Sequence, residues 1–214
     1  CDALCVLAEM KFSNPGVDDR INYNRKGRPE GICWMLPAMR TDLLRFGNCL
    51  FLDSQKRQYN TMGWPNIGPV VYSEMQVCCV AKSICVEESH RMYVWITQML
   101  SKMEPRFNLH SIKIIFGNQA LTNQILVDLG IKESCILRGD YYHLINEVWP
   151  ATFGTHIFQK IRGDLDRMLV GSKEEWEDSY TSAKQHLLGD ANKFSSLEQI
   201  YKDPSHYAGW YLKN

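Results

Sequence analysis

Two polar residues follow short runs of strand-forming residues. Asp53 comes after Cys49-Leu50-Phe51-Leu52, and Asn118 comes after Ile112-Lys113-Ile114-Ile115-Phe116-Gly117. A strand end is where a sheet presents side chains to solvent. A carboxylate at each of two such ends would hold a divalent metal for phosphoryl transfer, because hard cations need charged oxygen ligands. Here the second position carries an amide. Asn118 can offer a carbonyl oxygen to a metal but brings no negative charge. The bland alternatives are a turn-capping Asp53 and an Asn118 that opens a helix at Gln119. A third constellation is Asp140-Tyr141-Tyr142-His143. Asp140 and His143 stand three apart at an expected helix start and share its face, which suits a metal ligand, a group supporting a metal ligand or a phosphate contact; an Asp N-cap with an incidental His is the stronger reading of these residues alone.

The elements that must position these residues are readable from periodicity and punctuation. Residues 1–12 suggest a short helix stopped by Asn14-Pro15-Gly16, and 18–30 read as a polar linker or flexible arm; its Arg20, Arg25, Lys26 and Arg28 could touch a phosphate backbone, with a solvated loop the stronger reading. A helix is expected over 35–46, with Pro37 in its first turn, and a strand over 48–53. Two β-rich runs, 70–72 and 76–85, complete a three-stranded antiparallel meander with it. The pattern over 87–104, with Met92, Trp95, Ile96, Met99, Leu100 and Met103 on one face, is the clearest helix. A strand over 111–116, a helix over 120–129 closed by Gly130 and a strand over 134–137 follow. The remainder reads as helices, one opening with the capping box Ser172-Lys173-Glu174-Glu175.

The order β-β-β-α-β-α-β followed by helices is that of a ribonuclease H-like α/β (α+β) fold. Its expected form is a five-stranded mixed sheet flanked by helices, with a C-terminal helical insertion. The expected domains are an N-terminal arm or linker over 1–30, a core over 31–150 and a helical subdomain over 151–214. In such a site two Mg²⁺ ions sit about 3.5–4 Å apart between acidic side chains.

Three stretches then carry a likeness: Phe46-Gly47-Asn48-Cys49-Leu50-Phe51-Leu52-Asp53-Ser54, Ile114-Ile115-Phe116-Gly117-Asn118-Gln119 and Arg138-Gly139-Asp140-Tyr141-Tyr142-His143-Leu144. Together, with 65 residues from Asp53 to Asn118 and 22 more to Asp140, they resemble the catalytic domain of Mutator-like element transposases. That resemblance implies metal-dependent DNA cleavage and strand transfer with Mg²⁺ or Mn²⁺, in the nucleus, with DNA and a second copy as partners. It carries Asp53 over as the first catalytic Asp and Asp140 with His143 as the signature pair. Asn118 departs from the pattern at the second Asp, so metal binding is expected to be weak or absent and the chain inactive. The third carboxylate, a Glu, is expected beyond the last residue, which makes the chain a core fragment. A second reading is a domesticated, non-enzymatic module for DNA-linked regulation or protein contact.

Composition restricts the remaining classes. With 214 residues, 45% of them hydrophobic, the chain can bury a substantial core. Its 24 basic and 24 acidic residues balance, so DNA contact must come from a local patch, not from bulk charge. No apolar run has the roughly 18 residues a membrane span requires. Eight cysteines form no Cys-x-x-Cys pair; Cys1 and Cys5 as half of a zinc site is the weaker reading beside reduced, buried thiols. No Gly-rich phosphate loop or nucleophile elbow supports a small-molecule enzyme.

Overall fold

The computed structural model describes residues 2–55, 63–73, 76–117 and 123–208. Asn118, the expected helix start at 120–122, Cys1 and the stretch 209–214 lie outside the described residues. The chain divides into two compact units, Cys1–Leu137 and Arg138–Asn214.

The first unit is built on a mixed sheet. Its elements are α1 (Asp2–Ser13), β1 (Asp18–Tyr23), β2 (Pro29–Met35), α2 (Pro37–Phe46), β3 (Cys49–Gln55), β4 (Asn66–Ser73), β5 (Gln76–Cys79), β6 (Lys82–Cys85), α3 (His90–Met103), β7 (Ile114–Gly117) and α4 (Gln124–Asp128). With β8 (Ile136–Gly139), the sheet has eight strands in the order β1-β2-β6-β4-β3-β7-β8, and β5 pairs with β4 off that path. The five-stranded expectation is therefore too small.

The extra strands have identifiable causes. The stretch expected to be a polar linker contains β1 and the start of β2, which form an antiparallel hairpin. The charges on β1 are met by neighbours: Lys11 Nζ lies 2.5 Å from Asp19 Oδ1, Arg20 pairs with Asp18, and Arg40 Nη2 lies 3.7 Å from Asp18 Oδ2. The expected run 76–85 is two strands because Val80 and Ala81 interrupt it. Pro69 on β4 has no N–H to give a ladder, and its carbonyl accepts from Val80 N at 3.0 Å. The meander itself is present, since β3–β4, β4–β5 and β4–β6 are all antiparallel.

Helix α3 covers one face of this sheet. Met92, Tyr93, Ile96, Thr97, Met99, Leu100 and Met103 are its buried residues, a stripe at helical spacing that packs with Leu50, Leu52, Ile67 and Ile115 in one core. Burial of each such side chain is worth about 1.5–3 kcal/mol. Cys33 and Cys85 belong to the same core, and burial pushes the Cys85 thiol up to about 11. No disulfide forms among the described cysteines.

The second unit holds α5 (Tyr141–His143), α6 (Trp149–Phe153), α7 (Thr155–Val170), α8 (Lys173–Gln185), α9 (Ala191–Lys202) and α10 (Pro204–Tyr207). Trp149, Phe153, Ile161, Leu165, Trp176 and Leu197 anchor its own core. The capping box at α8 is formed: Ser172 Oγ accepts from Glu175 N at 3.2 Å, and Glu175 Oε2 accepts from Ser172 N at 2.7 Å. Leu144–Val148 winds as a single π-turn just before Pro150, whose missing N–H cannot continue an ordinary α ladder. Among the described residues, no helix is long and apolar enough to cross a membrane.

Candidate functional site

Strand β3 alternates as a half-buried strand should. Leu50 and Leu52 are buried while Cys49, Phe51 and Asp53 are intermediate, because successive side chains point to opposite faces. Asp53 lies inside the strand, two residues before its end at Gln55. It pairs with Gly68 of β4, which offers no side chain to cover the carboxylate. Asp53 Oδ1 accepts from Ser54 N at 2.7 Å. On the other side, β7 runs parallel to β3, and the described rungs end at Leu52↔Gly117. Phe51 and Phe116 form the preceding rung, their rings stacked at 4.6 Å with 8° between planes. Tyr72 meets Phe51 edge-on at 4.7 Å.

Three residues that the sequence reading did not single out tie this strand end to α3. Tyr93 is fully buried, and its hydroxyl donates to Glu88 Oε1 at 2.9 Å. Ser54 also hydrogen-bonds the Tyr93 oxygen, and the charges of Glu88 and Asp53 act on it. Burial, followed by the Glu88 carboxylate, drives the Tyr93 phenol far above the ordinary tyrosine value. The sequence held one signal for it. Tyr93 sits beside Met92 on the apolar face of α3, and a buried tyrosine hydroxyl must find a partner.

Asp140 and His143 belong to the second unit and do come together. Asp140 is the N-cap of α5, its Oδ1 accepting from His143 N at 3.2 Å, and His143 Nδ1 lies 3.5 Å from the same oxygen. The residues before them have packing roles. Arg138 is 3% exposed; its guanidinium donates to Pro204 O at 3.3 Å and to Ala208 O. A Cβ on Gly139 would stand 2.8 Å from Leu144 Cδ1 and 3.2 Å from His206 Nε2, so only glycine fits there without a shift. The stretch from Arg138 to His143 thus combines a buried anchor, a close approach and a cap.

Among the described residues, no group of three or more His, Cys, Asp or Glu side chains stands close enough to hold a metal. Asp53 fits a hard cation by donor chemistry: a partly exposed carboxylate opposite a glycine. One carboxylate alone leaves most of an octahedral shell to water. A scan against family models finds no matching family, and a search of curated proteins finds no match.

Proposed function

We propose that this chain is a ribonuclease H-like core of the Mutator-like transposase type, a nuclear DNA-associated domain whose metal site is weakened by Asn118. The observation that supports this reading is the parallel β3–β7 ladder. Its last described rung, Leu52↔Gly117, stands one residue before Asp53 on one strand and one residue before Asn118 on the other. Antiparallel β3–β4 and β4–β5/β6 pairing beside a parallel β3–β7 pair, with α3 on one face, is the arrangement such a core uses. In this reading Asp53 and the Asn118 carbonyl would hold Mg²⁺ or Mn²⁺, and Asp140 with His143 is the signature pair. A bound ion would supply Lewis-acid activation of a water or 3′-hydroxyl. Asp53 holds it, Ser54 N–H orients the carboxylate, and the Tyr93 hydroxyl fixes Ser54. With an amide at 118, the chain binds the ion weakly and does not cleave DNA.

The test is paramagnetic broadening by Mn²⁺ in amide NMR spectra. Signals of Asp53, Ser54 and Gly117 broaden first if the reading holds; broadening that spares them and falls elsewhere rejects it. Nicking of supercoiled DNA by this chain in Mg²⁺ would reject the inactivity. The neutral amide at 118 equally favours a second reading, a domesticated module for regulation or protein contact. A stable dimer with no metal affinity distinguishes it.

A further inference from the structure

The β1–β2 hairpin ends in a tip, Asn24-Arg25-Lys26-Gly27-Arg28, that the proposed metal site does not use. The turn is built, not slack. Asn24 Oδ1 accepts from Lys26 N at 2.9 Å and from Arg28 N at 3.0 Å. Asn24 N donates to Arg28 O at 2.9 Å, Gly27 N donates to Asn24 O at 2.9 Å, and Gly27 takes the left-handed φ of +72° that the turn requires. Arg25, Lys26 and Arg28 are all exposed. Among the described residues none of the three has an ion-pair partner, whereas Lys11, Arg20 and Arg40, which lie on or against β1, each have one. Three unneutralised cations within four positions, on a chain with no net charge, make a local anion-binding feature.

The sheet register locates the tip. One row runs Ser54↔Ile67, Ile67↔Ser83, Ser83↔Cys33 and Cys33↔Arg20 across β3, β4, β6, β2 and β1. Successive antiparallel pairings make β1 run the same way as β3, so β1 leads into the tip at the end of the sheet where Asp53 lies. Four strand spacings separate β3 from β1, about 19 Å at ~4.8 Å each, and Tyr23 stands three residues, about 10 Å, past the Ser54 row.

We infer that this tip is a phosphate-backbone contact for double-stranded DNA, one that grips the duplex beside the Asp53 end of the sheet. The alignment with Asp53 rests on the function proposed above; the charge and rigidity of the tip do not. Three phosphate contacts require counterion release with a salt slope of about 0.9 each.

The test is fluorescence anisotropy with a duplex oligonucleotide in EDTA, where no metal site takes part. The chain binds the duplex, and Arg25→Ala/Lys26→Ala/Arg28→Ala binds at least ~10-fold more weakly at low salt, with the log–log salt slope reduced by roughly 2–3. Arg25→Lys/Arg28→Lys restores most of the affinity, since point charges suffice for phosphates. Thermal melting confirms that the variants fold. An unchanged affinity and slope in the triple-alanine variant overturns the inference, as does absence of duplex binding by the parent chain. Tighter association with anionic phospholipid vesicles than with duplex also overturns it. Failure here leaves Mn²⁺ binding at Asp53 untouched, and failure of that binding leaves the EDTA result standing, so the two claims fall separately.

Discussion

Leu52 and Gly117 face each other as the last described rung of the parallel β3–β7 ladder, each one residue short of a polar side chain in its own sequence. The rung binds two segments far apart in the chain into one strand pair. It also means that whatever Asp53 does chemically depends on how firmly this end of β3 is held.

Tyr93 is the first place to test that hold. Tyr93→Phe keeps the ring and removes the hydroxyl that bonds Glu88 and Ser54. Losing a buried hydrogen bond to a charged group costs about 2 kcal/mol, so Tm should fall by roughly 4–8 °C. The pH dependence has a definite sign. The folded-state phenol is raised above its ordinary value of 10.0, so the folded chain retains a proton that the unfolded chain loses. The stabilisation is complete below pH 10 and declines as pH rises further. Tyr93→Phe should flatten that alkaline decline in urea-melting series.

Glu104 gives the acid counterpart. It is 2% exposed, and Arg106 grips it through Nε and Nη2 at 2.9 Å and through its backbone N at 3.1 Å. The Arg106 hydrogen bonds hold its carboxyl down at about 2, against an ordinary value of 4.5. A depressed carboxylate contributes stability above its unfolded value and loses it as pH falls toward the folded one. Glu104→Gln should therefore be less stable than the parent at pH 7, with the gap closing between pH 4.5 and about 2. A gap independent of pH would show that the pair is not the cause.

Glycines separate packing from propensity. A Cβ on Gly47 would lie 2.4 Å from Leu43 O and 2.6 Å from Phe107 Cε2, so Gly47→Ala should cost about 1–3 kcal/mol by overpacking. Gly163, within α7, has nothing within 4 Å of a Cβ. Gly163→Ala should stabilise the chain by about 1 kcal/mol through helix propensity. Chemical denaturation of both variants checks the opposite signs.

Much of this architecture is legible in the sequence, and what is not has physical reasons. The strand before Asp53, the α3 stripe and the Ser172 cap announce themselves through short-range periodicity and capping chemistry. Strand β1, Asp18–Tyr23, does not, because its polar side chains are satisfied by α1, α2 and each other instead of by alternation. The break at Val80–Ala81 comes from Pro69 on a neighbouring strand, a cause invisible within the run itself. Likewise the Asp53–Ser54–Tyr93–Glu88 linkage joins β3 to the start of α3 across more than thirty residues. Periodicity turns Tyr93 inward but does not name its partners.

The central claim is that positions 53 and 118 serve one metal ion. Calorimetric titration with Mn²⁺ of the parent chain, Asp53→Asn and Asn118→Asp tests it most directly. The parent should bind in the weak range, with Kd on the order of 10⁻³ M, and Asn118→Asp should tighten it roughly tenfold or more by adding a charged ligand. Asp53→Asn should abolish the heat of binding. An Asn118→Asp variant no tighter than the parent, or an Asp53→Asn variant that binds as before, would contradict the claim.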